Sequence, residues 1–291
     1  MKPPPFRYVA PTTVDAAVSA LAEAGPGAKV MAGGQSLVPL LNMRLARPST
    51  VVDINRVEGL DEVTVTEDAV VVGATARHAD VLADPDVASA LPVLGQAIRH
   101  VAHQVIRNRG TVVGSIVHAD PAAELPAVLA LVDGTVQLVG PNGAREIGVD
   151  DFFVAPMESA IHHDEVAVSV TFPRLPASTR TAVHELARRH GDYAMAGVVV
   201  AVDVVDDTVA GARCAFIGVT DVPGVVDLGP DLGGQPTADL DTAAAMATAR
   251  DAIDPADDIH ASADYRRHLA GVLLDRALRD AVGLPTQEVA A

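Results

Sequence analysis

The sequence holds a single cysteine, Cys214, in 291 residues and no tryptophan. One thiol excludes an internal disulfide framework and any iron–sulfur centre held by several cysteines of this chain. Its apolar neighbours in "RCAFIGV" fit a small buried residue. Lysine is nearly missing as well: Lys2 and Lys29 are the only lysines among 21 basic residues. Acidic residues number 38, for a net charge of −17. That balance leaves no general basic face for nonspecific nucleic-acid binding. No uncharged apolar stretch approaches the ~18 residues of a membrane span. Residues 1–30 carry no apolar core of signal-peptide type. The expectation is a cytoplasmic protein with no integral membrane segment and no nucleic-acid partner.

What is present is apolar material, 49% of the chain, enough for a full core in one large domain or two ordinary ones. "TTVDAAVSALAEAG" predicts a helix capped by Thr12 or Thr13, with Asp15 in its first turn and Gly25 at its end. "AKVMAGG" is a short strand running into a loop, and "STVVDIN" is another strand. "VTVTEDAVVVGAT" alternates around a polar turn as a hairpin does. From His78 to about Ala102 the pattern is helical, broken near Pro85 and Pro92. "LPAVLALVDG" is a short apolar helix. "TVQLVGPNGAREIGV" is a hairpin with Asn142-Gly143 at the turn, and "DEVAVSVTFPRLP" is a strand. The Pro- and Ser/Thr-rich "PRLPASTRT" suggests a linker, which divides the chain near residue 177. Beyond it lie two strands around a polar connection, then helices in "DTAAAMATARDAI" and "SADYRRHLAGVLLDRAL", an α+β pattern.

Two loops carry the chemistry. The first is Ala32-Gly33-Gly34-Gln35-Ser36. Glycines permit positive φ and close backbone approach, so successive N–H groups can converge on an anion. The spacing matches neither the Rossmann nor the P-loop signature. The second is Gly110-Thr111-Val112-Val113-Gly114-Ser115, within "RNRGTVVGSIVHADPAAE". It follows Arg99, Arg107 and Arg109 and precedes Asp120 and Glu124, whose carboxylates suit ribose hydroxyls or an adenine amine. A pyrophosphate needs donors from two sides, so the pair suggests a dinucleotide lying between two lobes. A ligand-free tight turn and a solvated charged turn remain the alternatives for each loop taken alone.

Four stretches, "AGGQSLVPLLNMRLARPSTVVDIN", "NRGTVVGSIVHADPAAELPA", "ARRHGDYAMAG" and "SADYRRHLAGVLLDRAL", resemble the FAD-binding medium subunit of the molybdenum hydroxylases. That family includes aerobic carbon monoxide dehydrogenase and bacterial xanthine-dehydrogenase-type enzymes. The resemblance extends to about residue 284. It implies an α+β chain, with a two-subdomain FAD-binding fold of vanillyl-alcohol-oxidase (PCMH) type over residues 1–177 (subdomains of about 1–57 and 58–177). A C-terminal α+β domain of antiparallel strands and helices, of the carbon monoxide dehydrogenase flavoprotein type, would occupy residues 178–291. By position, FAD would be contacted by Lys29, Ala32, Gly33, Gly34, Gln35, Ser36 and Leu37 from one side. Gly110, Thr111, Gly114 and Ser115 would hold it from the other. Val101, Asp120, Glu124, Ile161 and Tyr193 match further contact positions, with Tyr193 near the isoalloxazine.

The resemblance also implies two partners: a large subunit with a molybdenum cofactor, and a small subunit with two [2Fe–2S] clusters. The complex would be a dimer of heterotrimers, and this chain would pass electrons through FAD to quinone or NAD. No side chain is assigned as acid, base, nucleophile or metal ligand. Two other readings stand beside this one: a stand-alone flavin oxidase, which usually has more aromatic residues than the 3% found here, and a non-redox nucleotide-binding or scaffold module.

Two positions depart from the family pattern. Val113 stands where glycine is usual, and the expectation is that it keeps a negative φ. Glu185 stands where lysine is frequent; it either faces the flavin as a carboxylate or pairs with Arg188 or Arg189 at helical spacing. His100, His103, His162 and His163 lack ligand spacing and read as ordinary surface or loop histidines. Tyr265, Arg266 and Arg267 read as a subunit contact or a solvated helix face.

Overall fold

A computed structural model describes residues 2–285. The N-terminal unit is a three-stranded parallel sheet in the order Arg7–Val9, Thr50–Asp53, Ala28–Met31. The central strand is buried along its whole length, as expected of a parallel strand covered on both faces. Helix Val14–Ala24 packs on this sheet with Ala17, Val18 and Leu21 inward. The Thr13 hydroxyl accepts the Ala16 N–H at 3.2 Å and Gly25, at φ +67°, ends the helix.

The second unit is a five-stranded antiparallel sheet ordered Val63–Val65, Ala69–Gly73, Val166–Pro173, Thr135–Gly140, Gly143–Gly148. Helices His78–Ala83, Pro85–Ala90 and Pro92–Ile98 leave it, and each proline occupies a first helical position, where its missing N–H costs nothing. In the hairpin, Gly140 pairs with Gly143, so the turn residues are Pro141 and Asn142, one position earlier than the sequence suggested. Proline's fixed φ suits the first corner and Gly143 takes the positive φ that follows. The stretch expected as a second loop, residues 107–124, is helical over Val112–His118, and the short helix Gln104–Arg107 leads into it.

The third unit is a four-stranded antiparallel sheet ordered Thr179–Ala187, Ala194–Val205, Thr208–Ile217, Val225–Asp227. Its central hairpin turns at Asp206 and Asp207, both at positive φ, the geometry that matches strand twist. The run "GVVVAVDVV" is apolar because strand Ala194–Val205 is buried on both faces. Val199 and Ala201 join the larger core shared with the first two units, while Val198, Val200 and Val202 join a second core under helix Ala263–Val282. Alternation along the strand sets this division. Cys214 is fully buried in the second core. Ser262 caps the long helix by accepting the Tyr265 N–H, and Gly283 closes it at φ +80°.

Arg266 is neither a solvated side chain nor free for a partner. It is buried and donates to the carbonyls of Met195 and Gly218, at 2.6 and 2.8 Å, and to Asp258 at 2.6 Å. Tyr265 stays exposed and Arg267 pairs with Asp254 at 3.2 Å. Among the described residues no helix is long and apolar enough to cross a membrane.

Candidate functional site

Strand Ala28–Met31 delivers the first loop to the edge of the parallel sheet, where helix Leu37–Asn42 begins. Gly34 sits at φ +71°, a conformation that costs a side-chain-bearing residue about 1–2 kcal/mol. Among the described residues, the N–H groups of Gly33, Gly34, Gln35 and Ser36 donate to no acceptor of the chain. Gln35 folds back instead, its Nε2 donating to the Gly33 carbonyl at 2.9 Å. Ser36, exposed, makes no side-chain cap bond. A row of unspent donors behind a positive-φ glycine has the geometry of a backbone anion cradle.

The second segment meets the first directly. A Cβ on Gly33 would lie 2.4 Å from the Arg109 carbonyl oxygen and 2.7 Å from the Gly110 Cα. Only glycine permits this approach. A Cβ on Gly110 would in turn meet His78 Nδ1 at 2.9 Å. Thr111 caps helix Val112–His118, its hydroxyl accepting the Gly114 N–H at 3.1 Å. A Cβ on Gly114 would sit 2.5 Å from that hydroxyl oxygen. Val113 is helical, buried and at negative φ, as expected. Ser115 follows it on the same helix, half-buried. Its N–H is taken by the Thr111 carbonyl at 3.1 Å.

Carboxylates gather beyond the second segment. Glu124 opens helix Glu124–Leu131, which packs against strands Ala194–Val205 and Thr208–Ile217. Burial pushes its pKa up to about 7, with the Asp120 charge adding to the rise. Glu185 lies on strand Thr179–Ala187, opposite Gly197, and not on a helix. Spacing to Arg188 and Arg189 is therefore not that of a helical ion pair, and among the described residues no such pair forms. Its Oε2 is buried without a hydrogen-bond partner. Burial, then the Glu124 charge, pushes its pKa up to about 8. At neutral pH Glu185 is thus chiefly the uncharged acid. The helical ion pair with Arg188 or Arg189 is therefore excluded by the strand, while the raised pKa lowers the charge that Glu185 would present to a nearby ring.

Tyr193 follows the turn at Gly191, φ +83°, where a Cβ would strike the His103 ring at 2.6 Å. The Tyr193 side chain is 69% exposed. Partial burial, then the Asp120 and Glu124 charges, raises its phenol pKa. A large, mostly uncovered aromatic beside these carboxylates is available to stack on a planar ring.

The remaining candidates lie around this centre. Lys29 is exposed on strand Ala28–Met31 and shows no ion pair among the described residues. Leu37 is the first residue of the short helix and is half-buried. Val101 is half-buried in a turn whose carbonyl accepts from Arg107 at 2.8 Å. Ile161 follows the small strand pair Phe153–Ala155 and Glu158–Ser159, beside which helix Val112–His118 packs, and is partly buried against the larger core. Sequence reasoning missed Asn55, Arg77 and His78. Asn55 and Arg77 bridge the two segments through hydrogen bonds of 2.6 and 2.7 Å. His78 is buried under Gly110 with both ring nitrogens unpartnered, and burial drives its pKa down to about 4. The signal available for all three was their place, polar residues just past strand ends that face a glycine loop.

A donor row on one segment, packed glycine to backbone against a second segment that lies between two helices, is the geometry expected of a dinucleotide-binding class of protein. Its kind follows from family models: residues 4–175 match the FAD binding domain in molybdopterin dehydrogenase, and residues 181–281 match the carbon monoxide dehydrogenase flavoprotein C-terminal domain. The chain belongs to the FAD-binding medium subunits of the molybdenum hydroxylases. It is 38% identical to the 6-hydroxypseudooxynicotine dehydrogenase complex subunit alpha of Paenarthrobacter nicotinovorans, over 99% of both chains. It resembles a solved chain of carbon monoxide dehydrogenase from Hydrogenophaga pseudoflava, a form lacking the Mo-pyranopterin moiety of the molybdenum cofactor. The TM-score is 0.90 and the identity 34%, covering 97% of this chain and 99% of that one. Quinoline 2-oxidoreductase from Pseudomonas putida 86 gives a TM-score of 0.91 at 34% identity over the same shares.

The residues present fit FAD. The unspent N–H row of residues 33–36 and the Cβ-free approach at Gly33 and Gly110 suit a pyrophosphate.

Proposed function

We propose that this chain takes electrons from the two [2Fe–2S] clusters of a small partner subunit and passes them to an external acceptor, quinone or NAD. A large partner subunit with the molybdenum cofactor would oxidise the substrate. The single observation that carries the FAD site is the donor row at residues 33–36, left without partners inside the chain. Bound FAD supplies the exchange between one-electron and two-electron steps that iron–sulfur clusters and the acceptor require.

The chain's own residues bind and orient it. The N–H groups of Gly33, Gly34, Gln35 and Ser36 hold one side of the pyrophosphate. Ser36, Thr111, Gly114 and Ser115 close on it from hydroxyl and backbone atoms, and Lys29 and Leu37 flank the entry. Glu124 and Asp120 accept from sugar or base hydroxyl and amine groups. Tyr193 covers one face of the flavin ring, with Val101 and Ile161 at its borders. Glu185, protonated at neutral pH, holds a proton near that ring and excludes a negative charge from it. Residues 1–177 and 178–291 act as cofactor domain and cover respectively, in a cytoplasmic dimer of heterotrimers.

The single cysteine supports electron delivery from a partner, since this chain cannot hold a cluster itself. Affinity purification of the tagged chain from its native cell tests the proposal. The expected result is a complex with molybdenum, iron and FAD in the ratio that one molybdenum cofactor and two [2Fe–2S] clusters per flavin require. A partner-free yellow protein that turns over a substrate with oxygen would contradict it, and would favour the oxidase reading.

A further inference from the structure

A two-sided cradle functions only if its sides are held in relation before the ligand arrives, and among the described residues the two glycine segments pack together without a backbone hydrogen bond between residues 33–36 and 110–115. Arg77 and Asn55 touch both sides. Arg77 lies between strand Ala69–Gly73 and helix His78–Ala83 in the antiparallel unit. Asn55 follows strand Thr50–Asp53 in the parallel unit. Arg77 Nη1 donates to the Arg109 carbonyl at 2.7 Å, the same oxygen against which Gly33 is packed. Arg77 Nη2 donates to Asn55 Oδ1 at 2.6 Å. The Asn55 Nδ2 then donates to the Ala32 carbonyl at 2.7 Å. Asp53 anchors the amide, accepting the Asn55 N–H at 2.9 Å while its other oxygen accepts the Tyr8 hydroxyl at 2.6 Å.

We propose that Arg77, acting through Asn55, is the positioning residue that clasps the two glycine segments into the pyrophosphate-binding relation. The peptide plane supplies the lever. Pinning the Ala32 carbonyl into the clasp turns the Gly33 N–H the opposite way, because the two lie trans across one rigid peptide unit. The first donor of the cradle is thereby aimed. The clasp needs a fork, since two acceptors on different units must be reached at once. A guanidinium offers this and an ammonium does not. Among the described residues Arg77 has no carboxylate within ion-pair distance. In a chain of net charge −17, a cation with only neutral acceptors is placed for geometry. The inference rests on the loops being the cofactor's pyrophosphate cradle.

The test uses the deflavinated full chain, titrated by calorimetry with FAD and with ADP, which carries the pyrophosphate but no flavin. Arg77→Met is expected to weaken both ligands by the same factor, about 10- to 100-fold, the range for losing hydrogen bonds to a charged donor. Arg77→Lys is expected to recover no more than a few-fold of that loss. Asn55→Leu is expected to match Arg77→Met, and the double variant to lose little more than either single change. A role in local stability alone would lower the unfolding temperature and leave both affinities, measured well below it, at wild-type values. That result, or full rescue by lysine, would overturn the clasp. Failure of the wild-type chain to bind either FAD or ADP would instead remove the cofactor reading, and the clasp with it.

Discussion

The two glycine segments look alike in sequence and differ in how their backbone is satisfied. Residues 33–36 leave their N–H groups unspent and hold one glycine at positive φ. Residues 110–115 spend theirs more fully: Thr111 caps its own helix, Gly110 donates to Ile106 at 2.7 Å, and Ser115 donates to Thr111. A segment with unpaired donors is incomplete without an anion. A self-capped segment is a wall that stands by itself. On the proposed reading the first would supply most of the anion binding, and the second would supply shape. Each variant below breaks or sharpens that division.

The largest effect is expected from Gly33→Ala. The new methyl would sit 2.4 Å from a backbone oxygen that has no room to yield, so the segments separate. FAD affinity should fall about 100-fold or more, equivalent to roughly 3 kcal/mol, measured by equilibrium titration of flavin fluorescence.

Val113→Gly comes next and acts on stability. Val113 is a buried helical residue, so glycine loses helix propensity and leaves a cavity, for about 2–3 kcal/mol in chemical denaturation. Its FAD dissociation constant should stay within about threefold, since this wall is not the donor row. Tightening by tenfold would show that the valine obstructs the cradle.

A smaller effect with a pH signature is expected at Glu185. Its folded pKa, about 8, lies above the ordinary 4.5. Such a group favours the folded state below about pH 4.5 and loses that advantage as pH rises through 8. Glu185→Gln should therefore be more stable than wild type above pH 8, by on the order of 2 kcal/mol, and differ little near pH 5. Equal stabilities at both values would show that the carboxyl is solvated.

Thr111→Ala removes a helix cap and one of several hydroxyls around the proposed pyrophosphate site. It should cost about 1 kcal/mol of unfolding free energy and weaken FAD a few-fold at most. A loss as large as that of Gly33→Ala would erase the distinction between the two segments.

Much of this architecture was legible in the sequence because its punctuation is local. Thr13 and Gly25 bracket one helix, and Pro85 and Pro92 break the helical run where expected. Both glycine segments were visible as candidates, and Val113 kept the negative φ that its branched side chain demands. Misreadings came from tertiary causes. "HELARRH" was read with helical spacing, but Glu185 belongs to a strand whose alternation turns it inward, away from Arg188 and Arg189. Arg266 looked like a surface cation until two carbonyls and Asp258 enclosed it. Asn55 and Arg77 lie 22 positions apart, and no local pattern joins an amide past one strand to a guanidinium past another. His78, the first residue of a helix, gave no sign that Gly110 would close over it.

The most direct measurement is the amide spectrum of the isotope-labelled chain titrated with ADP and then with FAD. The account expects the amides of Gly33, Gly34, Gln35 and Ser36 to move downfield and to become protected from exchange with both ligands. Val112 and Gly114, already bonded within the chain, should shift far less. FAD binding, seen in the visible spectrum, that leaves those four amides in place would contradict the claim that this loop is the pyrophosphate cradle.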